Sequence, residues 1–219
     1  RPDQGTAAHL EAPAVRRRHG RVVQLSVNGA AYAIILGGGR SARMGHAKRD
    51  LMLHGRSLVA RAVDACQGRA VVVVVSPELP PDVDAGRVVL TYEDPPFGGP
   101  VAGIAAGLAA LPPARADDQV LLLACDLAQV AGAVARLDLA VLGPDGACLV
   151  DAEDTPQYLT ARYRRAALSS AVSSADPRNR SVKRTLGGLR LTLIPAVGLT
   201  ADLDTPEEAA AAGVVPPPL

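Results

Sequence analysis

Short, continuously apolar segments are the feature of this sequence that most constrains its fold. Such segments are rich in Val, Ile, Leu and Ala and are bounded by glycine, proline or polar residues. Runs of this length and composition indicate strands that are buried on both faces of a sheet. The predicted strands are 32–36, 70–75, 87–92, 119–125, 147–151 and 189–194.

Helical patterns lie between the predicted strands. Helices are predicted over 57–67, 101–111 and 163–172. Thr205 and Pro206, followed by two glutamates, are typical of the first turn of a last helix. Strands that alternate with helices predict an α/β fold, a three-layer sandwich whose mostly parallel central sheet is covered by helices on both faces.

Length and composition favour one domain with an aliphatic core. The chain of 219 residues is 48% apolar, with no Trp, one Phe and four Tyr, so Val, Leu, Ile and Ala must fill the core. Residues 1–30 mix proline, glycine and charges without a period and are predicted to be a flexible N-terminal arm. Residues 31–219 are predicted to form a single domain.

Charge and cysteine usage exclude several functional classes. A formal net charge of +1 argues against a nucleic-acid-binding protein that works through a basic field. Three cysteines without CxxC spacing favour reduced thiols over a disulfide framework or a zinc site. No apolar stretch reaches the roughly 18 residues of a membrane helix, and the run 22–27 is too short for a signal peptide. We therefore expect a cytoplasmic protein without membrane or nucleic-acid partners.

A glycine loop follows the first predicted strand. Residues 36–48 read LGGGRSARMGHAK, and glycines let backbone N–H groups converge on an anion. Arg43 and Lys48 add the positive charge that a triphosphate needs. Because only two of the 23 basic residues are lysines, a lysine at this position is less expected by chance. The loop is neither a Walker loop nor a dinucleotide-binding GxGxxG, which argues against a dehydrogenase. The alternative is a glycine-rich turn with ordinary surface arginines.

Two aspartates follow later predicted strands, at the edge where open α/β sheets bind ligands. Asp126 comes directly after 119–125, and a carboxylate there suits magnesium, which prefers hard oxygen ligands. The alternative is that Asp126 caps the following helix. Asp94 follows 87–92 and precedes a loop of prolines and glycines, where a turn-forming aspartate is the alternative.

Five segments, in chain order, resemble motifs of the molybdenum cofactor guanylyltransferase family, the MobA-like NTP transferases. The glycine loop 36–48 is similar to the family's LxGGxSxRMGxxK and is the most specific of the five. The other similarities are 99–104 (GPVAGI) to GPLAGI, 125–126 (CD) to CDxP, 180–182 to a late RSV segment and 204–207 to N/D-TPE. The resemblance covers about residues 31–212 and implies a Rossmann-like fold of the nucleotide-diphospho-sugar transferase type.

The resemblance implies transfer of GMP from GTP to the terminal phosphate of molybdopterin, with release of pyrophosphate and with Mg²⁺ as cofactor. Molybdoenzymes or cofactor carriers would be further partners. Arg43, Lys48 and Asp126 are then catalytic, and Asp126 binds the metal. The nucleotide-binding residues implied by the resemblance are Leu36, Gly37, Gly38, Gly39, Lys48, Ser76, Asp94 and Asp126. Gly38 and the run 102–104 favour guanine over cytosine within the family.

Three further residues have two interpretations each. Lys183 lies near the RSV segment and either binds an acceptor phosphate or lies on a solvated helix face. Asp202 and Asp204 reach the metal or the acceptor if their loop folds over the end of the sheet, although helix capping also explains Asp204.

Two departures from the family pattern keep other functions open. No proline stands two places after Asp126, and Ser76 stands where a guanylyl enzyme often has asparagine. One alternative is a degenerate protein that binds nucleotide without turnover. The other is a nucleotidyltransferase for another base or acceptor, such as CTP with molybdopterin, phospholactate or a sugar phosphate.

Overall fold

The computed structural model describes residues 29–38, 48–203 and 206–215, with the backbone alone for Lys48, Pro206 and Glu207. The strands within these residues are β1 (Ala31–Leu36), β2 (Met52–Leu53), β3 (Arg56–Ser57), β4 (Val71–Val75), β5 (Val89–Thr91), β6 (Gln119–Ala124), β7 (Gly146–Val150), β8 (Pro156–Arg164), β9 (Leu191–Pro195) and β10 (Val214–Val215). The α-helices are α1 (Leu58–Ala65), α2 (Pro100–Ala109), α3 (Val130–Asp138), α4 (Arg165–Ser173), α5 (Val182–Leu186) and α6 (Pro206–Ala211). Short 3₁₀ helices span Lys48–Asp50 and Ala85–Arg87.

The central sheet has seven strands in the order β5-β4-β1-β6-β8-β7-β9. Its pairings are parallel except those of β8, which runs antiparallel to β6 and β7. Leu36 lies opposite both Val75 and Ala124, so β1, β4 and β6 end level at one edge. A small sheet has the order β10-β2-β3. The predicted mostly parallel α/β sheet is confirmed.

Helices cover both faces of the central sheet because its inner strands bury side chains on both. On one face, α1 and α3 pack on a cluster that contains Ile35 and Leu123. On the other face, α2, α4 and α5 pack on a cluster that contains Ile34 and Leu122. Adjacent residues of one strand thus enter opposite clusters, as the two-residue period of a strand requires. This arrangement is the predicted three-layer sandwich.

The edge strands β5 and β9 were also predicted to be buried, and this is wrong, since Val89, Leu90 and Leu193 are exposed where no further described strand covers the edge.

The helix predicted over 163–172 begins later, and β8 was not predicted. Tyr163 lies in β8, and α4 starts at Arg165. Arg162 and Arg164 interrupt the apolar run and hide the alternation of the buried Ala161 and Tyr163. The Arg162 guanidinium is accommodated beside the sheet because it donates hydrogen bonds to the backbone carbonyls of residues 138 and 140.

A buried carboxylate joins the chain at the amino edge of the sheet. Asp118 precedes β6, is 1% exposed, and accepts hydrogen bonds from the backbone N–H groups of Ala30 and Arg115, both at 2.9 Å. The Arg165 guanidinium lies 3.3 Å from the same carboxylate. Of the predicted N-terminal arm, the structure describes Gly29 and Ala30 alone, and Ala30 is hydrogen-bonded to this edge.

The described cysteines are buried and free of disulfide bonds, in agreement with the predicted reduced thiols. Burial raises the pKa of Cys66 and Cys148 to about 12, so both stay protonated at neutral pH. No helix among the described residues is long and apolar enough to cross a membrane.

Candidate active site

Two cavities open at the carboxyl edge of the central sheet. The first, about 680 Å³, is lined by residues that end or follow β1, β4, β5 and β6 and by the start of α2. The second, about 420 Å³, is lined by the start of β8, by α5 and by Asp202. Ala124, Asp126 and Leu159 line both cavities. The cavities therefore adjoin at the end of β6, and two ligands could meet there.

The turn after β1 forms one wall of the first cavity. The N–H groups of Gly37 and Gly38 both donate to the carbonyl oxygen of Val75, at 2.9 and 3.0 Å. A Cβ at Gly37 would lie 3.2 Å from Cγ2 of Val59 and 3.4 Å from Cβ of Ser76, so glycine lets the turn lie against α1 and the end of β4. Because both donors are used inside the fold, backbone carbonyl oxygens are the polar groups that these glycines can offer a ligand.

The loop after β5 supplies a carboxylate to the first cavity. Glu93 is half-buried and lines this cavity, whereas Asp94 is exposed and is not one of its described lining residues. Oε2 of Glu93 lies 3.6 Å from the position that a Cβ of Gly103 would take, beside the start of α2. Glu93 is therefore the acidic group of this wall, and the nucleotide-binding role of Asp94 stays a prediction.

A second loop holds the one that follows β5. The backbone N–H of Asn179 donates to Gly98 O at 2.6 Å, and the Arg178 guanidinium donates to Pro95 O at 2.8 Å. Arg178 and Asn179 both line the first cavity. Arg178 thus brings to the cavity a guanidinium group of the kind that binds phosphate oxygens.

Helix α2 begins at the first cavity and lies close to β1. Gly99 has a φ of 90°, a left-handed conformation that favours glycine, and Pro100 takes the first helical position. A Cβ at Gly107 would lie 2.6 Å from Cγ2 of Ile34, so a larger residue would push α2 away from the sheet. The positive end of the helix dipole is therefore held at the cavity.

Asp126 lies at the junction of the two cavities, two residues after the end of β6. It is half-buried, and its backbone carbonyl accepts a hydrogen bond from Leu203 N at 3.1 Å. Leu127 forms an antiparallel bridge with Asp202, so the segment before α6 does fold over the end of the sheet. The alternative of a helix cap is not borne out, because α3 begins at Val130 with Gln129 as its N-cap.

The second cavity exists because β8 runs antiparallel to β6. Thr160 of β8 pairs with Leu123 of β6, so the first residues of β8 reach the carboxyl edge. Residues 155–160 line the cavity together with Lys183, which is exposed on α5. Lys183 therefore lies both on a solvated helix and at the rim of a cavity.

Ser76, another predicted site residue whose side chain is described, lines neither described cavity. Ser76 is 1% exposed, and its hydroxyl donates to Glu78 O at 2.8 Å. Gly39, Arg43 and Asp204 lie outside the described residues. Lys48 begins a 3₁₀ helix, but its side chain also lies outside the described part. The predicted roles of these residues stay predictions.

The donor set at the junction fits a magnesium ion bound together with a nucleotide. Asp126 and Asp202 both line the second cavity, and Mg²⁺ is usually held by one or two carboxylates plus substrate phosphates. Among the described residues, no group of three or more His, Cys, Asp or Glu could hold a metal ion. Two carboxylates suit a metal ion whose other ligands are phosphate oxygens and water.

Sequence reasoning missed Glu93, Arg178 and Asn179. Glu93 and Asp94 both follow a strand at the same edge, and no sequence signal separates them. Arg178 and Asn179 come directly before the RSV segment at 180–182. Their closeness to that motif is the signal that could have identified them as site residues. Only the contacts of the two loops show that these residues reach the cavity.

Several solved structures are similar to this chain in fold. Molybdopterin-guanine dinucleotide biosynthesis protein A from Archaeoglobus fulgidus is similar, with a TM-score of 0.56 over 83% of this chain and 96% of that chain, at 19% identity. The 2-C-methyl-D-erythritol 4-phosphate cytidylyltransferase from Thermus thermophilus is similar with a TM-score of 0.51 over 82% and 95%, at 18% identity. At these identities the likeness shows the fold, which is that of nucleotidyltransferases.

The family follows from the sequence. Residues 33–189 match the MobA-like NTP transferase domain family, and the chain belongs to that family of nucleotidyltransferases. The molybdenum cofactor guanylyltransferase of Rhizobium meliloti (strain 1021) is 36% identical over 78 residues. This match spans 35% of this chain and 36% of that relative, about a third of its length. The predicted family resemblance and enzyme class are confirmed.

Proposed function

We propose that the protein transfers GMP from GTP to the terminal phosphate of molybdopterin and releases pyrophosphate. The observation that carries this proposal is the position of Asp126 where two cavities meet. A transfer between two substrates requires that both are held side by side in a fixed geometry. The family and the matched guanylyltransferase segment support the choice of substrates.

GTP occupies the first cavity, whose volume of about 680 Å³ suits a ligand of that size. The Glu93 carboxylate and the carbonyl oxygens after β1 accept hydrogen bonds from the N–H donors of guanine. Arg178 and the positive end of α2 face the triphosphate, and the family resemblance assigns binding of the triphosphate to Arg43 and Lys48 of the glycine loop as well. These groups orient the nucleotide and neutralise its charge.

The acceptor occupies the second cavity, with its phosphate at the junction. Lys183 provides positive charge at the rim of this cavity. An oxygen of the acceptor's terminal phosphate attacks the α-phosphorus of GTP. The new P–O bond forms while the bond from the α-phosphorus to the β-bridging oxygen breaks, and pyrophosphate leaves with that electron pair.

Asp126 and Asp202 would hold Mg²⁺ at the junction. When bound, the ion neutralises charge that develops on the phosphate oxygens. The work of the protein is then positioning and electrostatic stabilisation, as in other phosphoryl transfers. The cytoplasmic location, expected from composition, stays a prediction. The hand-over of product to a molybdoenzyme or carrier, implied by the family resemblance, also stays a prediction.

The test measures pyrophosphate release by purified protein with molybdopterin, Mg²⁺ and GTP, CTP or UTP in parallel. We expect release that depends on all three components and is fastest with GTP. A preference for CTP would overturn the choice of base. Nucleotide binding without pyrophosphate release in any of these reactions would contradict the proposed catalysis. It would favour the alternative of a degenerate protein that binds nucleotide without turnover.

A further inference from the structure

The start of β8 holds a glutamine whose side-chain amide has a defined orientation. Nε2 of Gln157 lies 2.8 Å from Oδ2 of Asp151 and 3.4 Å from the carbonyl oxygen of Thr155. An ionised carboxylate and a backbone carbonyl only accept hydrogen bonds, so the NH₂ group of Gln157 must face them. The amide oxygen of Gln157 is then the polar atom that its side chain can offer elsewhere.

Asp151 is itself held rigidly. Its Oδ1 accepts hydrogen bonds from the backbone N–H groups of Glu153, at 3.0 Å, and Thr155, at 2.8 Å. Its own N–H donates to Thr155 O at 3.2 Å, which closes the turn between β7 and β8. The carboxylate cannot rotate away from Gln157 without losing these backbone hydrogen bonds.

Gln157 lines the second cavity, which has charged groups at its other sides. Lys183 supplies a cation there, and Asp126 and Asp202 supply carboxylates at the junction with the first cavity. A ligand that fits these groups carries a phosphate at the junction and a hydrogen-bond donor near the start of β8. An N–H group of a nitrogen heterocycle, such as the pterin ring, has that property.

We propose that Gln157 determines specificity for the acceptor. Its amide oxygen accepts a hydrogen bond from an N–H group of the acceptor's heterocycle, and Asp151 is the positioning residue that keeps this oxygen turned to the cavity. The inference rests on the proposed function, because it assigns the second cavity to the acceptor.

The first experiment measures steady-state kinetics with saturating GTP and varied molybdopterin. We expect Gln157→Leu to raise KM for molybdopterin about three- to tenfold, the usual range for one lost hydrogen bond. The KM for GTP and kcat should change less than about twofold, since the first cavity is untouched. The matched control is Gln67→Leu, an exposed glutamine after α1 that lines neither described cavity. An unchanged KM for molybdopterin in Gln157→Leu would overturn the specificity role.

The second experiment tests the positioning role with Asp151→Asn. The asparagine oxygen can still accept from the turn, but its NH₂ group would then face Gln157 and force that amide to rotate. The acceptor would meet an NH₂ group in place of an oxygen, so KM for molybdopterin should rise by a similar factor. In the double variant Asp151→Asn/Gln157→Leu, KM should stay within about twofold of Gln157→Leu alone. If the KM increases of the two single variants multiply in the double variant, Asp151 and Gln157 act independently, and the positioning role of Asp151 is wrong.

Two controls separate this inference from the proposed function. Thermal unfolding must give each variant a melting temperature within a few degrees of the wild type. If the wild type releases no pyrophosphate, the proposed function fails, and calorimetric titration of each protein with molybdopterin then tests the cavity directly. Binding that is equal in wild type and Gln157→Leu, or absent from both, would overturn the inference there.

Discussion

Two pairs of carboxylates, one at each edge of the central sheet, have opposite surroundings. At the amino edge, Asp118 and Asp145 precede β6 and β7 and accept hydrogen bonds from the protein's own backbone and arginines. At the carboxyl edge, Glu93 and Asp126 follow β5 and β6 and line cavities. Asp118 and Asp126 even flank the same strand.

The difference shows how one residue type serves two purposes in this fold. A carboxylate whose hydrogen bonds come from the fold contributes to stability and is closed to ligands. A carboxylate at a cavity can bind a metal ion or a nucleotide base, and its loss should affect function more than folding. Parallel strands collect loops at their carboxyl ends, which is why the second kind gathers at that edge.

The largest expected effect is on catalysis, from Asp126→Ala. Loss of the carboxylate at the junction should lower pyrophosphate release by about a hundredfold or more, the scale seen when one electrostatic contact to a transition state is removed. The hydrogen bond from Leu203 should survive, because it goes to the backbone carbonyl of Asp126, and the melting temperature of the same variant separates loss of activity from unfolding. Near-normal rates in this variant would remove Asp126 from the metal site.

The next effect is on stability, from Asp118→Ala. This change leaves the buried Arg165 guanidinium and two backbone N–H groups without their acceptor, which should lower the free energy of unfolding by about 2–4 kcal/mol. Urea unfolding measures the change, and Asp117→Ala, an exposed neighbour, should stay within about 0.5 kcal/mol of wild type. Folded Asp118→Ala protein should keep its specific activity at low temperature. An Asp118→Ala variant that stays folded but is inactive would contradict the assignment of stability to Asp118 and of function to the carboxylates that line the cavities.

A smaller effect separates the two acidic residues after β5. Glu93→Gln removes the charge at the first cavity and should weaken GTP binding about five- to tenfold, since a hydrogen bond to a charged group is stronger than one to a neutral group. Asp94→Asn is the matched control and should change the affinity less than about twofold. Isothermal titration with GTP measures both. A larger loss of affinity in Asp94→Asn than in Glu93→Gln would support the nucleotide-binding role that the family resemblance implies for Asp94 and would contradict the role given to Glu93.

The smallest effect is the acid dependence of stability. Burial by itself would raise the pKa of Asp118, but hydrogen bonds from Arg115 and Ala30 and the Arg165 ion pair more than offset it and lower the pKa. Hydrogen bonds from Arg190 likewise lower the pKa of Asp145. Because the folded-state pKa lies below the unfolded value of about 3.9, this stabilisation is present above that value and is lost as pH falls through the folded-state pKa.

Unfolding free energies measured between pH 6 and pH 3 test the expected direction of this pH dependence. The wild type should lose stability on acidification, and Asp118→Ala should lose less, because one of the contributing carboxylates is already gone. An equally steep loss in both proteins would show that Asp118 does not contribute to the acid dependence.

Prediction from sequence succeeded where a local pattern decides the structure. The valine run of β4 and the run before Asp126 could become only buried strands, and the small-residue segment before Pro112 became α2. Prediction failed for β8, where Arg162 and Arg164 alternate with buried residues. Arg162 is accommodated in this strand because it donates hydrogen bonds to the backbone carbonyls of residues 138 and 140. For the site, the sequence predicts Asp126 from its place after a strand but does not predict Glu93, which also lines the first cavity; the metal-binding role of Asp126 stays a prediction.

The sequence by itself determined the α/β class, the order of most elements, the family and the edge at which a ligand should bind, because these depend on periodicity, turn residues and contiguous motifs. The tertiary structure alone decided which polar residues reach the cavities. Glu93, Arg178 and Gln157 are distant along the chain, and their positions depend on loop contacts and on the reversed direction of β8. Such long-range contacts arise from packing, which no local pattern encodes.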